Sequence, residues 1–186
     1  AYVAYRNQNG KILNEWIGKK LNQYPDKFGI FSSASNQGPQ IILEQGRKLL
    51  DGMNLMGICE PEFKYDYRDN KYKLMEINLR SMMWHRVGNL SGVNLQFSQY
   101  LDATNEKVPR QLQNQNDLVH FIYMKHELYN LFFRKYYFKS FLKNVFGSKK
   151  KDFAIFNLLD IKPFFFDIYD IAKGVISRCL KVLRIK

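Results

Sequence analysis

The chain is poor in cysteine. Its 186 residues include only Cys59 and Cys179, which lie far apart and form no C-x-x-C motif. Two such residues do not make the disulfide framework of small secreted proteins, so the sequence predicts a cytoplasmic location. Long apolar stretches are missing as well, because no run approaches the ~20 residues that a membrane-spanning helix needs.

Acidic residues are also scarce. The chain has 17 Asp and Glu against 29 Lys and Arg, which gives a net charge of +12. The excess is uneven, since residues 1–100 carry 13 basic and 9 acidic residues whereas residues 101–186 carry 16 and 8. Such a surface favours an anionic partner, either a nucleotide, a nucleic acid or an anionic membrane. A solvated basic surface without a partner explains the charge equally well.

The usual nucleophiles and histidine clusters are absent too. No Ser or Cys stands in a pattern with a base, and His85, His120 and His126 are too scattered for a convincing metal set. His85 follows Arg80 closely enough to approach a substrate, although a structural role is favoured. The acidic residues therefore remain the main candidates for chemistry.

The first hundred residues predict an antiparallel sheet with packed helices, an α+β fold. The Asn-Gly turn at residues 7–10 favours a hairpin between strands at 1–6 and 11–23. The other elements follow from apolar periodicity and turn residues: strands at 28–33, 57–67 and 72–79, and helices at 40–56 and 93–103.

The composition changes after residue 103. The stretch 103–117 is polar and typical of a linker, residues 118–137 predict a helix, and 148–152 predict a basic loop. Residues 160–186 predict a turn and then a basic amphipathic helix. We therefore expect two domains, 1–103 with a hairpin at 57–80, and a helical, aromatic-rich C-terminal extension at 104–186.

The hairpin sequence EPEFKYDYRDNKYKLMEINLR, which begins at Glu60, concentrates acidic residues in this basic chain. Alternate strand residues share a face, so a loop with an odd number of residues centred on Asp69 would place Glu62 opposite Glu76. The Cβ atoms of facing residues lie about 5 Å apart, and two carboxylates there repel unless one is protonated or a cation lies between them. Mg²⁺ is usually held by such carboxylates together with substrate phosphates. Asn78 adds a neutral oxygen, and Arg80 a fork that suits phosphate.

Two other interpretations of these acids stay open. In the first, Glu and Lys simply alternate with aromatic residues on a half-exposed hairpin, and their charges are solvated. In the second, which concerns Asp66 and Asp69, the side chains serve the turn rather than a ligand.

The segment GICEPEFKYDYRDNKYKLMEINLR resembles the metal-binding hairpin of ATP-grasp enzymes. The likeness is to the carbamoyl-phosphate-synthetase-like branch, which includes D-aspartate ligase and carboxylate–amine ligases of polysaccharide gene clusters. The shared pattern is an acid followed by an aromatic, Glu62-Phe63, and then E-x-N-x-R from Glu76 to Arg80. The resemblance covers roughly residues 1–100 and departs at Leu79, where proline is common. It implies the C-terminal lobe of an ATP-grasp domain.

The resemblance also implies roles. Glu62, Glu76 and Asn78 would be ligands of Mg²⁺ or Mn²⁺, Lys64 and Arg80 would bind ATP, and Arg80 would act in catalysis. ATP would convert a small-molecule carboxylate to an acyl phosphate, which an amine then displaces, in a setting such as cell-surface polysaccharide biosynthesis. The family's nucleotide-clamping N-terminal lobe is expected ahead of Ala1, so this chain alone would be incomplete.

The C-terminal helix raises a second question. Its apolar residues alternate with Lys173, Arg178, Lys181, Arg184 and Lys186. Such a helix could lie on an anionic membrane surface and make the protein peripheral there. A helix packed on the sheet with solvated charges is the favoured alternative.

Two further functions remain to be distinguished from a ligase. One is a non-catalytic ATP-grasp-like scaffold. The other is nucleic-acid binding, which the charge permits. It is disfavoured because the aromatic residues form no recognition motif and the acidic hairpin would repel phosphate.

Overall fold

A computed structural model describes residues 1–184 and shows an α+β chain. Eight strands form two four-stranded sheets, with the orders β2-β1-β5-β6 and β3-β4-β7-β8. The strands are β1 Tyr2–Arg6, β2 Ile12–Ile17, β3 Lys19–Tyr24, β4 Ile30–Ser35, β5 Gly57–Asp66, β6 Lys71–Asn78, β7 Val119–Ile122 and β8 Lys150–Phe153. The helices are α1 Ile41–Gly52, α2 Arg86–Leu90, α3 Leu95–Ala103, α4 Met124–Phe133, α5 Phe138–Phe146 and α6 Lys162–Arg184, and a 3-10 turn spans Met83–His85. The predicted α+β class is confirmed.

The chain divides into two compact units, and neither is continuous in sequence. Unit 1 comprises Ala1–Lys19 and Ser35–Val119, and unit 2 comprises Lys20–Ala34 and the chain from His120 onward. The predicted division into a domain at 1–103 and an extension at 104–186 stays a prediction. The chain passes from one compact unit to the other after residues 19, 34 and 119.

The sheet of unit 1 places the acidic hairpin at one edge. β1 pairs with β2 around the predicted Asn-Gly turn, where Gly10 has a φ of 74°, and β1 also pairs antiparallel with β5. One face of this sheet presents Tyr2, Ala4 and Cys59, which pack with Ile42 and Leu50 of α1. A hydrophobic core of this kind anchors the base of β5, from which the β5–β6 hairpin continues.

The other face of the same sheet is covered by the segment that follows the hairpin. Trp16 packs edge-on against Trp84, with ring centroids 5.1 Å apart, and the Asn14 Nδ2 donates to Ser98 Oγ on α3 at 2.9 Å. Helix α3 contacts β1, β2 and β5. The sheet is therefore held between α1 on one side and residues 83–103 on the other.

The single strand predicted at 11–23 is wrong. It is two strands, β2 and β3, which belong to different sheets. The break is at Gly18, where a Cβ atom would lie 2.7 Å from the carbonyl oxygen of Ser35 and 2.7 Å from the ring of Trp16. Only glycine permits this close approach, but the apolar alternation of the sequence continues through it and gave no sign of the change.

The polar stretch predicted as a linker is bound to unit 1. Gln113 Oε1 accepts from the Ile17 backbone N–H at 3.0 Å, and Gln113 Nε2 donates to the Ile17 carbonyl at 2.7 Å. The Gln111 backbone N–H donates to Asn14 Oδ1 at 2.7 Å. The amide side chain of Gln113 thus satisfies backbone groups of β2, an edge strand, in the way a neighbouring strand would.

In unit 2 the predicted helix at 118–137 is partly wrong. Its first residues form strand β7, all four of which are buried, and α4 begins only at Met124. The basic loop predicted at 148–152 lies mostly in β8, and α5 was not predicted. Short apolar or basic stretches such as these are ambiguous in sequence, because pairing with a distant strand decides their conformation.

The predicted C-terminal helix is present as α6, and one of its faces is packed. Lys125 on α4 pairs with Asp167 at 3.4 Å and Asp170 at 3.5 Å, and the Arg178 guanidinium lies over the ring of Tyr129. These contacts favour the packed alternative for that face. The side chains of Lys181 and Arg184, and Lys186 as a whole, lie outside the described residues. In the part of the chain that is described, no helix is long and apolar enough to cross a membrane.

Candidate functional site

The β5–β6 hairpin places Glu62 directly opposite Glu76, and Glu60 opposite Asn78. The route to this register differs from the expected one. The loop has four residues, 67–70, and an even loop alone would not pair the two glutamates. A β-bulge at Met75, between the Phe63–Leu74 and Glu62–Glu76 pairs, shifts the register by one residue and restores the pairing.

The structure brings three of the predicted site residues together. Glu62 and Asn78 are half-buried, Glu76 is exposed, and Asn78 Nδ2 donates to Glu76 Oε1 at 3.2 Å. This bond uses the amide nitrogen of Asn78. Two carboxylates and an amide oxygen therefore share one short region of the sheet edge.

The two predicted phosphate-binding residues flank this group. Lys64 is exposed and lies two residues beyond Glu62 on the same face of β5. Arg80 is exposed too, but it lies in the bend after β6 ends at Asn78. Strand alternation therefore no longer fixes the direction of the Arg80 side chain.

The remaining hairpin acids serve the turn, as one alternative predicted. Asp66 accepts from the Arg68 guanidinium at 2.7 Å and from Lys73 Nζ at 2.7 Å, and Asp69 pairs with Lys73 at 2.8 Å. The Arg68 guanidinium, with Lys73, holds the pKa of Asp66 well below its usual range, and Lys73 lowers the pKa of Asp69. Both carboxylates therefore stay ionised, and Arg68 and Lys73 balance their charge at the hairpin tip.

A buried carboxylate next to the site was missed by the sequence reasoning. Glu60 is fully buried and accepts from Trp84 Nε1 at 3.0 Å and from His85 Nε2 at 2.6 Å. The Met82 backbone N–H donates to His85 Nδ1 at 3.3 Å, which leaves Nε2 as the ring nitrogen that donates to Glu60. The structural role favoured for His85 fits this arrangement. The sequence offered one indication of this carboxylate, because Glu60 is on the same strand face as Glu62.

The donor set fits a hard divalent cation. Mg²⁺ takes oxygen ligands and is commonly held by one or two carboxylates, which Glu62, Glu76 and the Asn78 carbonyl could supply. A larger group of acids, histidines or cysteines able to hold a metal is not found among residues that the structure describes. The site could thus contribute only part of a coordination shell and would leave the rest to water or phosphate.

Comparison with known proteins adds no assignment. No family model matches the chain, and the search of the curated proteins finds no significant match. A functional proposal therefore depends on the chemistry of the hairpin and on the resemblance of its sequence.

Proposed function

We propose that this chain carries the metal- and phosphate-binding hairpin of an ATP-dependent carboxylate–amine ligase of the ATP-grasp type. The observation that supports this most is the pairing of Glu62 with Glu76. Two carboxylates that face each other on adjacent strands, with Asn78 beside them, supply oxygen ligands of the kind by which Mg²⁺ is commonly held. The bulge at Met75 creates this pairing, and bulges commonly re-aim side chains next to active sites.

The proposed chemistry divides the work between the hairpin residues. Glu62, Glu76 and Asn78 would hold Mg²⁺ or Mn²⁺, and the ion when bound would neutralise the charge of the ATP phosphates. Lys64 and Arg80 would orient the phosphates, because ammonium and guanidinium groups donate charge-assisted hydrogen bonds to phosphate oxygens. Arg80 would also stabilise the negative charge of the transferred phosphoryl group.

The overall reaction would form one C–N bond at the cost of one phosphoanhydride bond of ATP. A carboxylate oxygen of the substrate attacks the terminal phosphorus, and ADP leaves. The amine nitrogen of the second substrate then attacks the acyl carbon and gives up a proton to solvent, the bond from carbon to the phosphate-bearing oxygen breaks, and phosphate departs. We place this reaction in the cytoplasm and, from the resemblance, in the assembly of cell-surface polysaccharide.

The surroundings of the hairpin support a site that needs rigid ligands. Glu60, two residues before Glu62, is fixed by two hydrogen bonds from Trp84 and His85. On the opposite face, Phe63 and Tyr72 pack against the core beneath α1. Groups that bind a metal are most effective when their neighbours hold them in place before the ligand arrives.

Calorimetry with Mg-ATP tests the proposal. We expect Glu76→Gln to weaken Mg-ATP binding at least about tenfold, because a ligand charge is lost, and to abolish ATP-dependent turnover. The matched control is Glu44→Gln, which removes an exposed carboxylate from α1 and should change neither property. Wild-type protein that does not bind Mg-ATP, or full affinity in Glu76→Gln, would overturn the assignment.

A further inference from the structure

A segment of unit 2 has an unusually one-sided charge. Residues 134–151, RKYYFKSFLKNVFGSKKK, contain seven Lys and Arg and no Asp or Glu. Arg134 pairs with Asp26 at 2.8 Å, so its charge is already neutralised. The segment itself holds no acidic residue that could pair with Lys135, Lys139 or Lys143.

Helix α5, in the middle of this segment, presents an apolar row to solvent. Its buried face carries Asn144 and Val145. Its outer face carries Phe138, Leu142 and Phe146, which are 63%, 40% and 66% exposed and recur at the four-residue spacing of one helix face. Single exposed apolar side chains are common, but a contiguous apolar patch bordered by polar residues is typical of an interaction surface.

Polar and aromatic groups border this row in a definite order. Lys139 and Lys143 each follow a member of the row by one residue, so they lie about 100° around the helix from it. Lys135 and Tyr136 precede α5 in a turn, and the Tyr136 ring is 98% exposed. We call Lys135, Tyr136, Phe138, Lys139, Leu142, Lys143 and Phe146 the α5 surface.

We propose that the α5 surface binds an anionic lipid bilayer. A helix with lysines beside an aromatic and aliphatic row lies in the plane of the interface, with its apolar side chains below the headgroups. Lysines near an anionic leaflet are attracted to it, and tyrosine is enriched at headgroup level. The protein would then attach to the membrane through unit 2, independently of the function proposed for the hairpin of unit 1.

This location differs from the one that the sequence suggested. Helix α6 also exposes apolar residues, but Asp167 and Asp170 lie in its first half and pair with Lys125. The α5 segment has no such acids. Its Leu142 has no π face on which a base could stack, so a bilayer fits the row better than a nucleic acid does.

Sedimentation of the whole chain with vesicles tests the proposal. We expect binding to phosphatidylcholine vesicles that contain about 30% phosphatidylglycerol, and little binding to phosphatidylcholine alone. The triple variant Lys135→Gln, Lys139→Gln, Lys143→Gln should lower the partition coefficient on the order of a hundredfold. The control Lys11→Gln, Lys48→Gln, Lys107→Gln removes the same charge from exposed positions of unit 1 and should reduce binding far less.

A second pair of variants separates apolar insertion from charge alone. Phe138→Ser with Leu142→Ser should weaken binding roughly tenfold at constant charge. Tyr67→Ser with Leu112→Ser alters exposed side chains of unit 1 and should leave binding unchanged. Equal losses in the variant and control of either pair would overturn the proposal, as would no binding to anionic vesicles. A single-stranded oligonucleotide could instead displace the wild-type protein from vesicles and bind the Phe138→Ser, Leu142→Ser variant as tightly as the wild type. That result would assign the surface to nucleic acid.

Discussion

Among the residues that the structure describes, Glu60 and Glu127 are the buried glutamates, and hydrogen-bond donors hold each of them. Glu60 is bound by Trp84 and His85 in unit 1. In unit 2, Glu127 accepts from Ser32 Oγ at 2.8 Å and from the Tyr137 hydroxyl at 3.0 Å. Burial, with the nearby Glu127 charge, raises the pKa of Tyr137 above its ordinary value, so this hydroxyl remains a donor. Because a buried carboxylate is costly without partners, each network fixes the segments that supply its donors.

The His85 bond to Glu60 gives a prediction for a single residue. His85→Leu replaces the imidazole with an apolar side chain of similar size and removes a hydrogen-bond donor from the fully buried Glu60 carboxylate. We expect the free energy of unfolding to fall by about 3 kcal/mol, as when a buried polar pair loses one partner. Urea unfolding followed by tryptophan fluorescence measures this loss, and both tryptophans lie in unit 1.

The comparison variant is Tyr65→Phe, which removes the exposed bond from the Tyr65 hydroxyl to Asn70 Oδ1. Its cost should be less than about 0.5 kcal/mol, because water replaces the partner. Equal stability of His85→Leu and wild type would show that the Glu60 network does not hold the 83–85 turn.

At the scale of elements, the packing of α1 on its sheet depends on a glycine in the helix. Gly46 is buried, and a Cβ atom there would overlap the ring of Tyr2. Gly46→Ala should therefore lower the free energy of unfolding by about 1–3 kcal/mol, although alanine is the better helix former. Gly52→Ala, at the open end of the same helix, meets nothing within 4 Å and should stabilise by about 0.5–1 kcal/mol. Thermal melts of both variants test the contrast, which the same sign in both would contradict.

Strand β7 carries a buried histidine, His120, from which we predict that unit 2 is less stable in acid. His120 Nδ1 donates to the Asn144 carbonyl at 2.7 Å. Burial lowers the pKa of His120 below its ordinary value, the hydrogen bond opposes this, and Lys151 and Lys143 add to the lowering. The unfolded chain therefore binds more protons than the folded one below about pH 6.5, and the free energy of unfolding decreases as the pH falls.

The measurement is urea unfolding by circular dichroism at about pH 7.5 and about pH 5.5, on either side of the ordinary histidine pKa. The decrease should be smaller in His120→Asn, whose amide can still donate to the Asn144 carbonyl but does not titrate. His126, whose pKa burial also lowers, is common to both proteins and cancels in the comparison. Identical decreases would remove His120 as a cause.

Local signals in the sequence predicted some elements and not others. The Asn-Gly turn, α1, α6 and the two strands of the acidic hairpin follow from turn chemistry and periodicity, and each is present. Pairings between distant segments were not predictable in this way. Gly18 ends β2 because Ser35 approaches it, and residues 119–122 form a strand because β4 lies beside them.

The candidate site shows the same division. Sequence alternation placed Glu62, Glu76 and Asn78 on one face, and in the structure Glu62 faces Glu76 while the Asn78 side chain donates to Glu76. The bulge at Met75 had no signal in the sequence, so the right pair was predicted from the wrong loop length. The Glu60 network was missed because its donors, Trp84 and His85, come after the hairpin and outside its pattern.

At the scale of the whole molecule, the stretch 103–117 behaves as part of unit 1 rather than as a connector. Asn14 Nδ2 donates to the Pro109 carbonyl at 3.0 Å, and the Gln111 N–H donates to Asn14 Oδ1 at 2.7 Å. Trypsin requires a locally free backbone, so we expect slow cleavage after Arg110 and faster cleavage after Arg68 in the exposed hairpin turn. Mass spectrometry of a digestion time course distinguishes the two sites.

Gln113→Ala provides the control for this digestion. The variant loses the bonds to both backbone groups of Ile17, so cleavage after Arg110 should accelerate, whereas cleavage after Arg68 should not change. If the wild type is cleaved after Arg110 as fast as after Arg68, the stretch 103–117 is a flexible linker.

The pairing of β4 with β7 has a consequence for synthesis on the ribosome. β4 ends at Ser35 and β7 begins at Val119, so more than 80 residues must be added to the nascent chain before β4 can pair with β7. At about 5–20 residues per second, this interval lasts roughly 4–17 s. During that time the nascent chain carries a strand whose backbone groups on that side have no partner, and such an edge is where newly made chains associate with one another.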